Sequence, residues 1–277
     1  MLTYPDISPV AISLGPLAIH WYGLTYLVGF IGVWVLGGIR ARKPGSGWKS
    51  EEIPDMLFYG ALGVILGGRI GYMFFYHFDL LLDDPLVLFR IWQGGMSFHG
   101  GMLGVFIAMW LYGRKTGRGF FEVTDFMAPF VPIGLGAGRI GNFINGELWG
   151  RPTDLPWGMV FPFVDNQPRH PSMLYEAFFE GLVLFIILWL YSSRPRPTRA
   201  VSGLFMLGYG VFRFGVEFVR QPDAHIGYIA FGWLTEGQIL SAPMILFGVY
   251  LLVAAYRSGD KRDVGHYPPA PQNKGSQ

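Results

Sequence analysis

Seven apolar stretches, each close to the length of a membrane span, recur along this 277-residue chain. A helix that crosses a bilayer needs roughly 17–25 apolar residues. Backbone in lipid must also satisfy its own hydrogen bonds, which favours helices. The pattern predicts an all-α polytopic membrane protein with seven transmembrane helices, of which the third is short and the fourth is interrupted by Pro129 and Pro132. The predicted spans are 18–39, 55–76, 98–113, 123–141, 173–191, 201–219 and 237–256.

Composition supports this class. The chain is 51% hydrophobic and 14% charged, whereas ordinary soluble domains are about 25% charged. A formal net charge of +2 gives no reason to expect a nucleic-acid partner. The chain has no cysteine, which excludes disulfides and a cysteine nucleophile of its own; either this is chance, or any reacting thiol belongs to a substrate. The six histidines are scattered without ligand spacing, and neither HExxH nor GxSxG occurs, so we expect no metal and no cofactor.

The distribution of basic residues predicts the orientation of the spans. Cytoplasmic loops of membrane proteins carry an excess of lysine and arginine. The segments after spans one, three, five and seven are the basic ones, so we expect a periplasmic N-terminus and a cytoplasmic C-terminus. The basic residues of these segments are Arg40, Arg42, Lys43 and Lys49, then Arg114, Lys115 and Arg118, then Arg194, Arg196 and Arg199, and finally Arg257, Lys261, Arg262 and Lys274. On the opposite side every basic residue is an arginine and none is a lysine. These residues are Arg90, Arg139, Arg151, Arg169 and Arg220.

We expect a single integral-membrane domain over 1–257, followed by a polar, proline-containing tail over 258–277 that we expect to be disordered. The first residues lack a basic n-region, so we expect no cleavable signal peptide. Glycines recur at every fourth residue, a spacing that lets helix backbones approach closely. The main interpretation is tight packing, and the alternative is room for a lipid chain between helices. The glycines are Gly63, Gly67 and Gly71, then Gly100 and Gly104, then Gly134 and Gly138.

The sixth span carries charged groups that should lie on one helix face. Tyr209, Arg213, Glu217 and Arg220 are spaced four, four and three residues apart. Charges in hydrocarbon are costly, so they should face the protein interior. For Arg213 we favour a role in holding a phosphate. Glu217 is as well explained as the i, i+4 partner of that arginine.

Arg69 in the second span is a substrate-binding candidate with a strong structural alternative. It is flanked by glycines, so it could bind backbone carbonyls or a glutamate from another helix. Glu176 and Glu180 are the candidate partners, and at least one of them should be structural. Tyr22, at the start of the first span, is a candidate substrate contact.

Histidine supplies the candidate general base, because its unperturbed pKa suits proton transfer near neutral pH. His99 begins the third span, at the membrane end predicted for Arg139 and Arg213. A lone histidine is more often a packing residue than a catalyst. His170 is a weaker rival.

Residues 138–150 read GRIGNFINGELWG and place Arg139, Asn142, Asn145 and Glu147 at the end of the fourth span. Polar groups at membrane depth are expensive unless they bind one another or a ligand. Arginine suits planar contact with phosphate. Two interpretations stay open for the asparagines and the glutamate. They could bind a lipid head group, or they could form hydrogen bonds that stabilise the loop.

This segment closely resembles the signature of the bacterial phosphatidylglycerol–prolipoprotein diacylglyceryl transferases. Five more segments resemble the same family and extend the similarity from the first span to the last. They are HWYGLTY at 20–26, LGGRIGY at 66–72, GGMSFHGG at 94–101, RHPSMLYE at 169–176 and FRFGVEFVRQPD at 212–223.

The resemblance implies an enzyme of the bacterial inner membrane with its active site toward the periplasm. It implies transfer of the diacylglyceryl group of phosphatidylglycerol to the lipobox cysteine of a preprolipoprotein signal peptide, giving a thioether and glycerol 1-phosphate. The interpretation that follows is direct displacement, with Arg139 and Arg213 on the phosphate and His99 as base. An arginine could instead lower the thiol pKa, which would leave His99 a positioning role. Tyr22, Asn142, Asn145, Glu147, Glu217, Arg220 and Arg69 are the expected binding and supporting residues.

Two rival classes share the pattern of buried charge. A transporter or channel would show solute flux and no lipid-modified product, and no inverted repeat is evident in the sequence. A non-catalytic lipid-binding protein would bind phosphatidylglycerol without releasing glycerol phosphate.

Overall fold

The computed structural model describes residues 2–15, 17–222 and 227–258, and over these the chain is mostly helical. The predicted tail over 258–277 lies outside the described residues except for Ser258. The helices are α1 (Trp21–Ala41), α2 (Glu52–Tyr76), α3 (Phe78–Asp83), α4 (Phe98–Thr116), α5 (Phe120–Met127), α6 (Val131–Ile144), α7 (Ser172–Glu176), α8 (Leu184–Tyr191), α9 (Ala200–Val216) and α10 (Glu236–Arg257). A π-helical segment, Ala177–Val183, joins α7 to α8, and two short 3₁₀ turns, Pro85–Phe89 and Ile91–Gln93, follow α3.

Every predicted span overlaps helical structure, but the helices differ in their ability to cross a bilayer. Four of those described are long and apolar enough: Trp21–Ala41, Glu52–Tyr76, Ser172–Tyr191 and Glu236–Arg257. The pair α5 and α6 makes a fifth if it counts as one broken span. The third predicted span, α4, is not among them, and α9, the sixth, is apolar but only 17 residues long.

The interruption predicted in the fourth span is a bend of 51° between α5 and α6. Pro132 occupies the first turn of α6, where the missing N–H of proline costs nothing. Residue 129 lies in the turn before it, and the Phe130 N–H donates to Met127 O at 2.9 Å. The prolines therefore end one helix and begin the next.

The described chain divides into two compact units, the first formed by residues up to 36 together with those from 125 onward. Within it, α6 packs directly on the π-helical segment. A Cβ placed on Gly181 would lie 2.7 Å from Gly136 Cα, so only glycine allows this approach. Helix α9 packs on α10 through Gly203, where a Cβ would lie 3.1 Å from Gly248 O.

Short strands outside the helices are a feature that the apolar pattern did not predict. A hairpin, β2 (Val10–Leu14) with β3 (Leu17–His20), precedes α1. A second sheet has the order β1–β4–β5, from Leu2–Thr3, Met159–Val160 and Pro168–Arg169. The Tyr4 hydroxyl links this sheet to the end of α6 by donating to the carbonyls of Phe143 and Ile144, both at 2.8 Å.

The second unit, residues 37–124, is built on α2 and α4. The predicted glycine packing is confirmed here: a Cβ on Gly71 would lie 2.7 Å from Gly100 Cα, and one on Gly63 would lie 2.6 Å from Gly104 O. The prediction also named Gly134 and Gly138, and it is not confirmed there, because a Cβ on either would meet no described atom within 4 Å.

Candidate active site

A buried cluster of arginine and glutamate side chains lies in the first unit, where α6, α7 and α9 meet. Glu176 on α7 holds two arginines: its Oε2 lies 2.7 Å from Arg139 Nε, and its Oε1 accepts a short hydrogen bond from Arg213 Nη1. The Glu176 side chain is 1% exposed, against 21% for Arg139 and 14% for Arg213. One carboxylate therefore fixes two guanidinium groups from different helices.

Glu217, at the end of α9, anchors the other side of the cluster. Its Oε1 lies 2.5 Å from Arg213 Nη2 and 3.1 Å from Arg220 Nη1, and its Oε2 accepts from Thr235 Oγ1 at 2.8 Å. The i, i+4 pairing of Arg213 with Glu217 that the sequence offered as an alternative is thus present. Because the same arginine also binds Glu176, the pair belongs to a larger network.

The backbone at the end of α9 is held by Arg151, which follows the 138–150 motif. Arg151 Nε donates to Arg220 O at 2.9 Å and Nη2 donates to Glu217 O at 3.1 Å. Arginine suits the carbonyls that a helix C-terminus leaves without partners. Gly150 has no room for a side chain, since a Cβ would lie 2.6 Å from both His170 O and Val219 O.

Glu180 is the most buried carboxylate near the cluster and has the weakest contacts. Its side chain is 0% exposed, and neither oxygen has a hydrogen-bond partner among the described residues. The nearest cation is Arg139, whose Nη2 lies 3.9 Å from Glu180 Oε2. Glu180 lies in the π-helical segment, an irregularity that is frequent at functional sites.

The polar residues of the 138–150 motif bind one another at the end of α6. Asn142 Nδ2 donates to Glu147 Oε2 at 2.9 Å, and Asn145 Nδ2 donates to Glu147 Oε1 at 3.2 Å. Leu148 adopts the left-handed region with φ of 60°, and its carbonyl accepts from Ser172 Oγ at 2.7 Å. Such backbone strain in a non-glycine residue is typical of functional sites.

An open recess of about 650 Å³ lies beside these residues. Tyr22 reaches it from the start of α1, and its ring packs against α6 at Gly141, where a Cβ would lie 2.9 Å from the ring. The Tyr22 and Tyr26 hydroxyls are 3.4 Å apart. The recess therefore offers a carboxylate, an amide and a phenol to a hydroxyl-bearing ligand. Its lining is Pro9, His20, Tyr22, Gly23, Asn145 and Glu147.

Arg69 and His99 belong to the second unit. Arg69 is buried, and its guanidinium donates to backbone carbonyls, the first of the two structural alternatives that the sequence left open. The acceptors are Leu88 O at 3.2 Å, Val87 O at 2.6 Å, Arg90 O at 3.0 Å, Gly95 O at 3.3 Å and Gly94 O. His99 lies in the first turn of α4, which Ser97 caps by accepting from the Gly100 N–H at 3.2 Å.

His170, the weaker histidine candidate, lies in the first unit between β5 and α7. Its Nδ1 is 3.2 Å from the Tyr175 hydroxyl, which also accepts from Trp157 Nε1 at 2.8 Å. Partial burial, followed by the charge of Arg151, lowers the pKa of His170 below its usual value. Nearby, the hydrogen bond from Arg169 lowers the pKa of Asp165. The lowered pKa of His170 favours its neutral imidazole form.

Glu176 is the residue that sequence reasoning undervalued. It was considered only as a partner of Arg69 or as a structural group, whereas it binds Arg139 and Arg213. The signal was present, since two glutamates at i, i+4 in an apolar helix must meet cations from other helices.

The fold and the cluster define the class as an integral membrane protein with arginines and glutamates buried against one another. The family model for prolipoprotein diacylglyceryl transferase matches residues 9–254. Curated relatives named phosphatidylglycerol–prolipoprotein diacylglyceryl transferase are similar over almost their whole length. The relative from Methylococcus capsulatus is 62% identical over 257 residues, which cover 92% of this chain and 98% of the relative. The one from Legionella pneumophila is 60% identical over 251 residues, covering 91% and 98%, respectively. The one from Pseudomonas aeruginosa is 58% identical over 257 residues, covering 93% and 97%. The chain belongs to the prolipoprotein diacylglyceryl transferase family.

Proposed function

We propose that this chain transfers the diacylglyceryl group of phosphatidylglycerol to the lipobox cysteine thiol of a preprolipoprotein, forming a thioether and releasing glycerol 1-phosphate. This is the first step of lipoprotein maturation. Family membership over residues 9–254 supports the reaction. The observation that carries the proposal is the pair Arg139 and Arg213, held side by side on Glu176.

Arg139 and Arg213 are proposed to bind the lipid phosphate. Arg139 is anchored through Nε, so the Nη edge of its guanidinium can contact a ligand. It is also the most exposed of the three arginines of the cluster. Arginine contacts to phosphate are often bidentate and stronger than neutral hydrogen bonds. The two guanidinium groups would stabilise negative charge as it develops on the leaving oxygen.

The proposed chemistry is a direct displacement. The S–H bond of the substrate cysteine breaks, and the sulfur forms a C–S bond to the glyceryl carbon that carries the phosphate ester. The C–O bond to phosphate breaks, and the phosphate monoester leaves with the electron pair. His99 is the candidate acceptor of the thiol proton, on the chemistry of imidazole and its place in GGMSFHGG. The alternative, an arginine that favours the thiolate electrostatically, leaves His99 a positioning role.

The recess beside Glu147 is proposed to take the head-group glycerol. Tyr22, Asn145 and Glu147 line it, and Asn142 orients the carboxylate. The carboxylate of Glu147 would repel a phosphate but can accept hydrogen bonds from the hydroxyls of glycerol. Glu217 and Arg220 would support Arg213. The five carbonyl contacts of Arg69 favour a supporting role over a substrate contact.

The proposal extends to the membrane arrangement. We propose seven spans in the bacterial inner membrane, a periplasmic N-terminus, a cytoplasmic C-terminus and an active site toward the periplasm. The basic loops after alternate spans support this orientation. Residues 1–257 would act as one integral-membrane catalytic domain, with 258–277 as a cytoplasmic tail.

The test is release of glycerol phosphate by the purified protein supplied with phosphatidylglycerol and a lipobox peptide. Arg139→Gln should abolish release, and near-normal turnover would refute the phosphate role. Arg114→Gln, the same change at an exposed position, is the matched control and should leave turnover unchanged. Solute flux without a lipidated peptide would favour a transporter. Lipid binding without glycerol phosphate release would favour a non-catalytic lipid-binding protein.

A further inference from the structure

Glu176 occupies the place that an anionic ligand of the two arginines would contest. Its Oε1 accepts a hydrogen bond from Arg213 Nη1. Its Oε2 forms an ion pair with Arg139 Nε at 2.7 Å but has no hydrogen bond among the described residues. Arg220 Nε lies 3.9 Å from Oε1. With Glu176 in place, the guanidinium groups already have an anionic partner before any ligand arrives. A phosphate that binds them must therefore compete with, or share donors with, this carboxylate.

With every group ionised, the formal charges of the cluster's own side chains balance. The described members are three arginines and three glutamates: Arg139, Arg213, Arg220, Glu176, Glu180 and Glu217. Removing the charge of one glutamate would leave a buried positive charge in excess, which is costly in the empty site and favourable for an anion. Glu176 is the glutamate that contacts both phosphate-binding candidates.

The backbone that carries Glu176 is held on both sides, and its side chain is only 1% exposed. Helix α7 is tied to the 138–150 motif through the Ser172 hydroxyl, which donates to Leu148 O at 2.7 Å. The π-helical segment that follows is pressed against α6 at Gly136 and Gly181. The packing therefore keeps the carboxylate of Glu176 close to the two arginines.

We propose that Glu176 is a positioning residue that acts as an internal competitor for the phosphate. It holds Arg139 and Arg213 in place for the lipid and takes back their donors when glycerol 1-phosphate leaves, which speeds product release. This inference rests on the proposed function. It predicts that the carboxylate weakens binding of phosphate monoesters while it raises turnover.

The experiment compares Glu176→Gln with the unaltered enzyme, measuring turnover and the inhibition constant of added glycerol 1-phosphate. We expect that the variant binds this product about tenfold tighter, because at least one charge-assisted hydrogen bond is no longer contested, and that kcat falls. A purely structural role would lower the active fraction without tightening product binding. An unchanged or weaker affinity for glycerol 1-phosphate would overturn the proposal. Glu51→Gln, the same change at an exposed position, should alter neither quantity.

Two additions keep the test decisive. If Glu176→Gln does not fold, Glu176→Asp replaces it, because the shorter side chain moves the carboxylate back by one methylene. This variant should bind glycerol 1-phosphate more tightly than the unaltered enzyme, by a smaller factor than tenfold. Unchanged binding of the product by Glu176→Asp would overturn the proposal. Glycerol 1-phosphate should also raise the Tm of the variant more than that of the unaltered protein, because the ligand replaces the missing anion. Absence of glycerol phosphate release by the unaltered enzyme would refute the proposed function. Release that continues while product affinity stays unchanged in the variant would refute only this inference.

Discussion

Arg213→Lys is the substitution whose effect follows most directly from the geometry. The guanidinium of Arg213 bridges two carboxylates, with Nη1 on Glu176 and Nη2 at 2.5 Å from Glu217. A lysine keeps the charge but has one nitrogen, and it lacks the planar fork that reaches both partners. At least one charge-assisted hydrogen bond is lost, which is worth about 1.5–3 kcal/mol.

That energy sets the expected size of the defect. Without the fork, the lysine also loses one charge-assisted contact to the lipid phosphate in the transition state. At 1.4 kcal/mol for each tenfold change, a loss of this size lowers kcat/KM for phosphatidylglycerol roughly 10- to 150-fold. The assay is glycerol phosphate release at varied lipid concentration in purified enzyme, with Tm measured alongside. Arg90→Lys is the matched control. Arg90 forms an exposed ion pair with Asp84 at 2.7 Å, and such pairs contribute about 0–1 kcal/mol, so this variant should stay within a few-fold of the unaltered enzyme. Activity of Arg213→Lys within threefold would refute the argument that the fork is needed.

Three further predictions concern packing, loop support and pH. Gly181→Ala places a Cβ 2.7 Å from the facing glycine of α6 and should cost about 1–3 kcal/mol of stability, seen as a lower Tm. Gly38→Ala, where a Cβ meets no described atom within 4 Å, should leave the Tm unchanged. Arg69→Met removes the donor of five carbonyl contacts and should increase protease cleavage in the loop after α3; equal cleavage rates would argue against the supporting role. His170 has a lowered pKa when folded, through burial and Arg151, so the unfolded chain binds the proton more readily and stability should decline as pH falls below about 6.5. Thermal unfolding between pH 5 and 8 tests this prediction. His170→Gln should reduce the loss of Tm at acidic pH, and an unchanged dependence of Tm on pH would contradict the attribution of this loss to His170.

The helices were predictable because span length and apolar content are local properties. The fifth predicted span, 173–191, differs by one residue from Ser172–Tyr191. The bend near Pro129 and Pro132 followed from the missing proline N–H. The short strands were missed, since runs of two to five residues are too short to carry a distinct period.

Part of the arginine–glutamate cluster was predictable from the sequence, and its connections were not. Arg139, Arg213 and Glu217 do meet, as buried charges near one another in an apolar protein must. The sequence could not separate Glu176 from Glu180, because both lie at i, i+4 on the same helix. Tertiary packing separates them: the π-helical segment lies against α6, so that one carboxylate bridges two arginines and the other is 3.9 Å from its nearest cation.

The measurement that bears most directly on the whole account is glycerol phosphate release by the purified protein, with phosphatidylglycerol and a lipobox peptide supplied together. The account predicts release in equal amount to thioether-linked diacylglyceryl peptide. It also predicts that both products disappear when the peptide cysteine is replaced by serine or when Arg139 is replaced by glutamine. Lipidated peptide without glycerol phosphate, or full release from the Arg139→Gln variant, would contradict the claim that the Glu176-bound arginines hold the leaving phosphate.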